Sequence, residues 1–103
     1  MVPTQLALDV RPAPVDPDQA ARDHYVKAVQ AVAYVHDGVV SINAVRDLVA
    51  AMPEWGIPSH VPGKVISALR QCGRLVEIGT ERSTDTRGGN AGRWISLYRW
   101  VSA

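Results

Sequence analysis

The hydrophobic pattern of this chain changes its period once, near residue 75, and this change limits the possible folds. Before that point, apolar residues recur at spacings of three and four, which predicts helices. In residues 75–78 and 93–100, the period changes to two, which predicts two strands. The polar, Gly-rich residues 79–92 between them predict a hairpin with a long mobile tip. Helices followed by a hairpin indicate an α+β fold.

The first helix is predicted to run from about residue 17 to residue 36. Asp16 and Gln19 have the spacing of a capping box, and Pro17 suits the first helical position. Gly38 is the expected C-terminal cap. One face of this helix carries the apolar residues Ala21, Tyr25, Ala28, Val29, Val32 and Val35.

A short strand and two more helices are predicted before residue 75. Residues 39–40 are two valines, which we interpret as a minimal strand. Ser41 is the expected cap of a second helix that ends near Pro53. A third helix is predicted over residues 59–72, with Ser59 as its cap and Gly73 as its end. Its inward residues are expected to be Ile66 and Leu69, flanked by Val65 and Cys72.

The size and composition of the chain favour one small domain. With 103 residues, of which 47% are hydrophobic, a single core is expected over residues 17–103. Residues 1–16 contain three prolines and no periodic pattern, which predicts a flexible N-terminal arm. No apolar run reaches the ~18 residues of a membrane span, and no secretory leader is evident. A single cysteine excludes an internal disulfide, so we expect a cytoplasmic protein.

Charge is distributed unevenly along the chain. Residues 1–57 contain four basic and seven acidic groups, a net charge of −3. Residues 58–103 contain seven basic and three acidic groups, a net charge of +4. This asymmetry indicates an anion-binding surface in the second half, although chance scatter of surface charge explains it equally well.

The stretch from Ser59 to Gly79 resembles the winged helix-turn-helix superfamily. The residues that carry the resemblance are Pro62-Gly63-Lys64-Val65-Ile66-Ser67-Ala68-Leu69, followed by Gly73-Arg74-Leu75-Val76-Glu77-Ile78-Gly79. Together with residues 83–87 and the Trp-containing last strand, they resemble small phage-encoded winged-helix proteins of actinobacterial hosts. The resemblance spans roughly residues 20–100. It implies three helices, a short first strand and a C-terminal β-hairpin wing. It also implies DNA binding, which for a phage protein would take place in the host cytoplasm.

In the helix-turn-helix mode, the helix over 59–72 lies in the major groove. His60, Lys64, Ser67 and Gln71 are spaced by four, three and four and therefore share one face. Lysine donates to guanine or phosphate, glutamine pairs with adenine, and serine bonds either base or backbone. Ser59 and the first helical amides offer a phosphate site. The alternative is an ordinary solvated helix face.

The wing and the last strand supply two further candidate surfaces. Arg82, Arg87 and Arg93 lie among Gly, Ser and Thr over residues 79–93, where a basic wing can follow phosphates or enter a minor groove. A solubilising loop is the competing interpretation. Of the two faces of the last strand, one must cover the helices, and the other is left for a dimer contact or for base stacking. The two faces carry Trp94, Ser96, Tyr98 and Trp100 on one side, and Ile95, Leu97 and Val101 on the other.

Catalytic interpretations have little support in the sequence. The three histidines and Cys72 lack the paired spacing of a zinc site, and no nucleophile-elbow or phosphate-loop motif occurs. Cys72 is expected to be a small core residue. We therefore expect a protein that is not an enzyme and has neither a cofactor nor a metal.

Two functions remain in competition. The first is a small transcription regulator that binds double-stranded DNA, as a homodimer because one winged helix contacts few base pairs. The second is a winged-helix interaction module that docks on a replication, transcription, host or phage protein. The acidic first half and the aromatic strand favour this second function.

Overall fold

Three helices and a three-stranded sheet make up the described part of the chain. The computed structural model describes residues 16–84 and 92–102. The arm residues 1–15, the wing-tip residues 85–91 with Arg87, and residue 103 lie outside it. In chain order the elements are α1 (Gln19–Val35), β1 (Val39–Ser41), α2 (Ile42–Ala50), a 3-10 turn (Pro53–Trp55), α3 (Val61–Gln71), β2 (Leu75–Arg82) and β3 (Trp94–Trp100). The predicted α+β, winged-helix-like fold is confirmed.

The sheet is antiparallel and has the order β1-β3-β2. The central position of β3 places Tyr98 between Val40 of β1 and Glu77 of β2. The register of β2 against β3 shifts once, so that Ile78 is an extra residue opposite no partner. β2 also continues to Arg82, four residues further than the sequence predicted. Cross-strand pairing with β3 therefore orders a segment that its polar composition assigned to the wing tip.

One face of the sheet packs against the helices and the other does not. Val40, Leu75 and Tyr98 are buried in the core, and Trp100 packs against it. The aromatic face of β3 is therefore the inner face near its C-terminal end. Since Ile95 and Leu97 alternate with these residues, they lie on the outer face, and neither packs against the core.

The apolar stripe of α1 is largely as predicted. Ala21, Tyr25, Ala28, Val29 and Val32 are buried, together with Ala33. Burial raises the pKa of Tyr25 to about 12. The expectation for Val35 was wrong, because 71% of its surface is exposed. In the last two turns, the buried face of the helix is formed by Val29, Val32 and Ala33, and Val35 lies outside that face.

The helix α3 differs from its prediction in its start and its buried residues. It begins at Val61, and His60, not Ser59, occupies the cap position, where its side chain makes no hydrogen bond to the helical amides. Val61 and Val65 are buried, whereas the predicted inward residues are only partly buried. Cys72 is exposed rather than in the core, because it caps the last turn, with its thiol 3.5 Å from the Leu69 carbonyl oxygen.

The ends of the helices combine confirmed and corrected predictions. Ser41 caps α2 as expected, since its hydroxyl accepts from the Ala44 amide at 3.3 Å. α1 starts at Gln19, two residues late, because the Asp16 carboxylate accepts from the Asp18 amide and forms a turn there. At its other end Asp37 takes the left-handed conformation, with φ +53°, and Gly38 donates the closing hydrogen bond to the Ala33 carbonyl.

Two glycines of α3 allow a matched stability test. Gly73 has φ +82°, and Gly63 is helical with no atom within 4 Å of an added Cβ. Gly73→Ala should lower the free energy of unfolding by about 1–2 kcal/mol, because an L residue is strained there. Gly63→Ala should raise it by up to about 1 kcal/mol through helix propensity. Urea denaturation measures both, and destabilisation by Gly63→Ala would reveal a close helix contact that the structure does not contain.

Candidate nucleic-acid interface

The outer face of α3 is open to solvent along its length. Lys64, Ser67 and Gln71 are all exposed and lie on successive turns. Within the described residues, the side chains of these three residues make no hydrogen bond. Ser67 and Gln71 line a shallow groove of about 300 Å³ together with Arg70. Their donors and acceptors are therefore available to an external partner.

The N-terminal end of α3 is surrounded by acidic groups. His60 Nε2 lies 2.6 Å from Asp18 Oδ2, so this ring is held by a carboxylate of the segment before α1. Asp16 is paired with Arg22. That hydrogen bond, with one from the Asp18 amide, lowers the pKa of Asp16, and the Lys64 charge acts in the same direction. Two aspartates thus flank the start of the helix, Asp16 paired with Arg22 and Asp18 with His60.

Ser59 is exposed in the turn before α3, one residue ahead of the cap. It also borders a small cavity of about 250 Å³, which is lined by Tyr25, Ile42, Arg46, Val49, Ser59 and Pro62. Ser59 and His60 therefore stand apart from the three open side chains further along the helix. The predicted five-residue set is divided into an acid-flanked end and an open face.

Arg70 belongs to this surface and was missed by the sequence analysis. Its guanidinium carbon lies 5.6 Å from the centre of the Tyr98 ring, and its Nη2 lies 3.9 Å from Glu77 Oε1. The side chain remains 52% exposed. Its spacing of three from Ser67 was a usable signal, because residues three apart are neighbours on a helix.

The wing begins as a well-bonded stem. The Ser83 amide donates to the Arg93 carbonyl at 2.8 Å, and the Gly92 amide donates to the Ser83 carbonyl at 2.9 Å. The Arg82 guanidinium donates to the Gly92 carbonyl and lies 4.6 Å from the centre of the Trp94 ring. Arg82 and Arg93 are both exposed, as a phosphate-binding role requires.

Asn43 fastens this stem to α2. Its Nδ2 donates to the Arg82 carbonyl at 2.8 Å, and its Oδ1 accepts from the Thr84 amide at 3.0 Å and from the Thr84 hydroxyl. Arg46 also donates to Asn43 Oδ1. No local pattern in the sequence identifies this contact, because it joins residues about 40 positions apart.

Among the described residues, no three His, Cys, Asp or Glu side chains cluster as metal ligands. Within the same part of the chain, no helix combines the length and the apolar character that crossing a membrane requires.

Removing the Asn43 side chain tests how the stem is held. Asn43→Ala should accelerate hydrogen exchange of the Thr84 amide by about fivefold, since each net hydrogen bond contributes roughly 1 kcal/mol. Asp47→Ala, an exposed change on the same helix, is the control and should leave that amide unchanged. Equal exchange rates in all three proteins would contradict a stem held by Asn43.

In comparisons with known proteins, no protein-family model matches this chain, and neither a curated protein nor a solved structure matches it significantly. The assignment to a winged-helix-like fold therefore rests on the order and pairing of its elements.

Proposed function

We propose that this protein binds double-stranded DNA as a small transcription regulator. The observation that carries the proposal is the open polar face of α3, on which the side chains of Lys64, Ser67 and Gln71 are exposed and make no hydrogen bond within the described residues. A helix with such a face fits the major groove, where lysine and glutamine can contact base edges. The exposed arginines at the wing stem supply cations for the backbone.

Charge determines which end of α3 approaches phosphates in this proposal. Asp16 and Asp18 border the helix N-terminus and would repel a phosphate there, so Ser59 and His60 are weaker candidates than the sequence implied. Arg70 lies in the second half of the helix and remains half-exposed. We therefore assign phosphate contacts to Arg70 and Arg93, and base contacts to Lys64, Ser67 and Gln71.

Base contacts and phosphate contacts are expected to respond differently to substitution. Lys64→Ala or Gln71→Ala should cost about 1–3 kcal/mol on the preferred site alone. Arg93→Ala should weaken all sequences about equally and flatten the plot of log affinity against log salt by about 0.9. Fluorescence anisotropy with a site selected from a random duplex pool and with mixed duplexes measures both effects.

Lys27→Ala is the matched control, because Lys27 is exposed on α1 and its loss removes the same charge. It should leave both affinity and salt dependence unchanged. Absence of binding to any duplex at tens of micromolar protein and low salt would overturn the proposed function. A change of sequence preference in Arg93→Ala would instead make the wing the reading element.

A second copy of this chain is the partner we propose for the outer face of the sheet. This face carries Val39, Val76, Ile95 and Leu97, and none of these packs against the core. Val76 is 48% exposed, and so large an apolar surface usually has a partner.

Charge complementarity argues for self-association. Arg99 of β3 lies near one end of the outer face, and Glu81 of β2, which accepts from the Ser41 hydroxyl at 2.7 Å, lies near the other. An isologous pairing with the strands of the two copies antiparallel brings each Arg99 opposite the partner copy's Glu81. Because α3 packs on the inner face, both recognition helices would stay accessible in such a dimer.

Charge reversal tests this dimer. Arg99→Glu or Glu81→Arg alone should shift the mass measured by light scattering towards the monomer, and the double variant should restore the dimer. Tyr34→Lys changes an exposed residue off the sheet and should not affect the mass. A monomeric wild type at high concentration would contradict the proposal and leave a different protein as the occupant of this face.

A further inference from the structure

Trp94 is the most exposed aromatic side chain of the wing stem, and its exposure is unusual for its position. It begins β3 and pairs with Arg82 across the hairpin. Its surface is 63% exposed, whereas Tyr98 on the same strand face is 5% exposed. The helices therefore cover the C-terminal part of this face and leave its first residue in solvent. A large exposed indole loses contact with water favourably when a ligand covers it.

The indole ring is held in place by its neighbours. The Arg82 guanidinium lies 4.6 Å from the ring centre, and its Nη1 donates to the Gly92 carbonyl at 2.8 Å. Arg82 is in turn part of the stem that Asn43 binds through the Arg82 carbonyl. The ring is thus supported from one face by a fixed cation. Less side-chain conformational entropy is therefore lost when a ligand stacks on this ring.

The surroundings of the ring match a nucleotide better than an apolar peptide. Arg82 and Arg93 are both exposed and adjoin Trp94, one across the strand pair and one along the chain. An aromatic platform with one cation at its ring and a second at the preceding residue of the chain offers a π-face for a base and positive charge for its phosphate. Thr80 and Ser96 pair two positions along the strands from Arg82 and Trp94, on the same face, and add hydroxyl groups.

We propose that Trp94 is a stacking site for an unpaired nucleobase, with Arg82 as the residue that positions the ring and Arg93 as the phosphate contact. This inference rests on the proposed DNA binding and narrows its ligand. The wing would then favour DNA that exposes a base, as a bulge or a single strand, over a perfectly paired duplex. Stacking of one base on an aromatic side chain is sequence-tolerant, so this contact adds affinity without adding sequence preference.

The test compares three fluorescently labelled DNAs with the full-length protein: a matched duplex, the same duplex with one unpaired adenine, and one of its single strands. We expect the duplex with the unpaired base to bind about tenfold more tightly than the matched duplex. Trp94→Ala should abolish this difference, and Trp94→Phe should retain most of it. Circular dichroism would check that Trp94→Ala is folded, which its exposure leads us to expect.

Tryptophan fluorescence provides a second, independent readout. The single strand should quench the wild-type emission, and the part of that quenching due to Trp94 is the difference between the wild type and Trp94→Phe. Equal affinities of wild type and Trp94→Ala for all three DNAs, with no such quenching difference, would overturn the stacking site and leave duplex binding intact. Binding of the bulged or single-stranded DNA through Trp94, without binding of the matched duplex, would instead overturn the proposed regulator and keep the stacking site.

Discussion

The pairing of β3 with both neighbouring strands is the interaction on which the rest of the structure depends. Tyr98 lies at its centre, opposite Val40 on one side and Glu77 on the other, with its ring in the helical core. The same strand continues to Trp94 at the wing stem. One seven-residue element therefore joins the hydrophobic core to the wing, and Arg70 of α3 contacts it over the Tyr98 ring.

The sequence predicts the elements of this fold better than it predicts their surroundings. Helical spacing located α1 and α2 because their buried faces follow a single period. It failed for Val35 and Cys72, which lie in or just after the last turn of a helix, where neighbouring elements decide what is covered. It also ended β2 too early, because the pairing of residues 79–82 with β3 is a tertiary contact that outweighs their polar, Gly-containing composition.

The same holds for the candidate site residues: features set by spacing along a helix were predictable, and contacts between residues distant in sequence were not. Lys64, Ser67 and Gln71 share an exposed face, as the spacing of three and four requires. The acidic surroundings of His60 were not predictable, since they come from residues before α1, far away in sequence. The acidic and basic halves of the chain are consequently not separate regions in space. Carboxylates of the first half border the very helix that the basic half contributes, and they make one of its ends unfavourable for phosphate.

The rigidity of the stem determines what the wing can contribute to binding. A free loop must lose conformational entropy before its side chains can contact a ligand, at a cost of about 1–2 kcal/mol per backbone residue fixed. The residues at the stem have already lost that freedom, because Asn43, Ser83 and Gly92 bind them to α2 and to each other. Contacts made by Trp94 and Arg93 therefore avoid most of this cost. For the proposed binding, a stem that is already bonded supplies more affinity per contact than a free loop of the same residues, because the gain is not offset by ordering of the backbone.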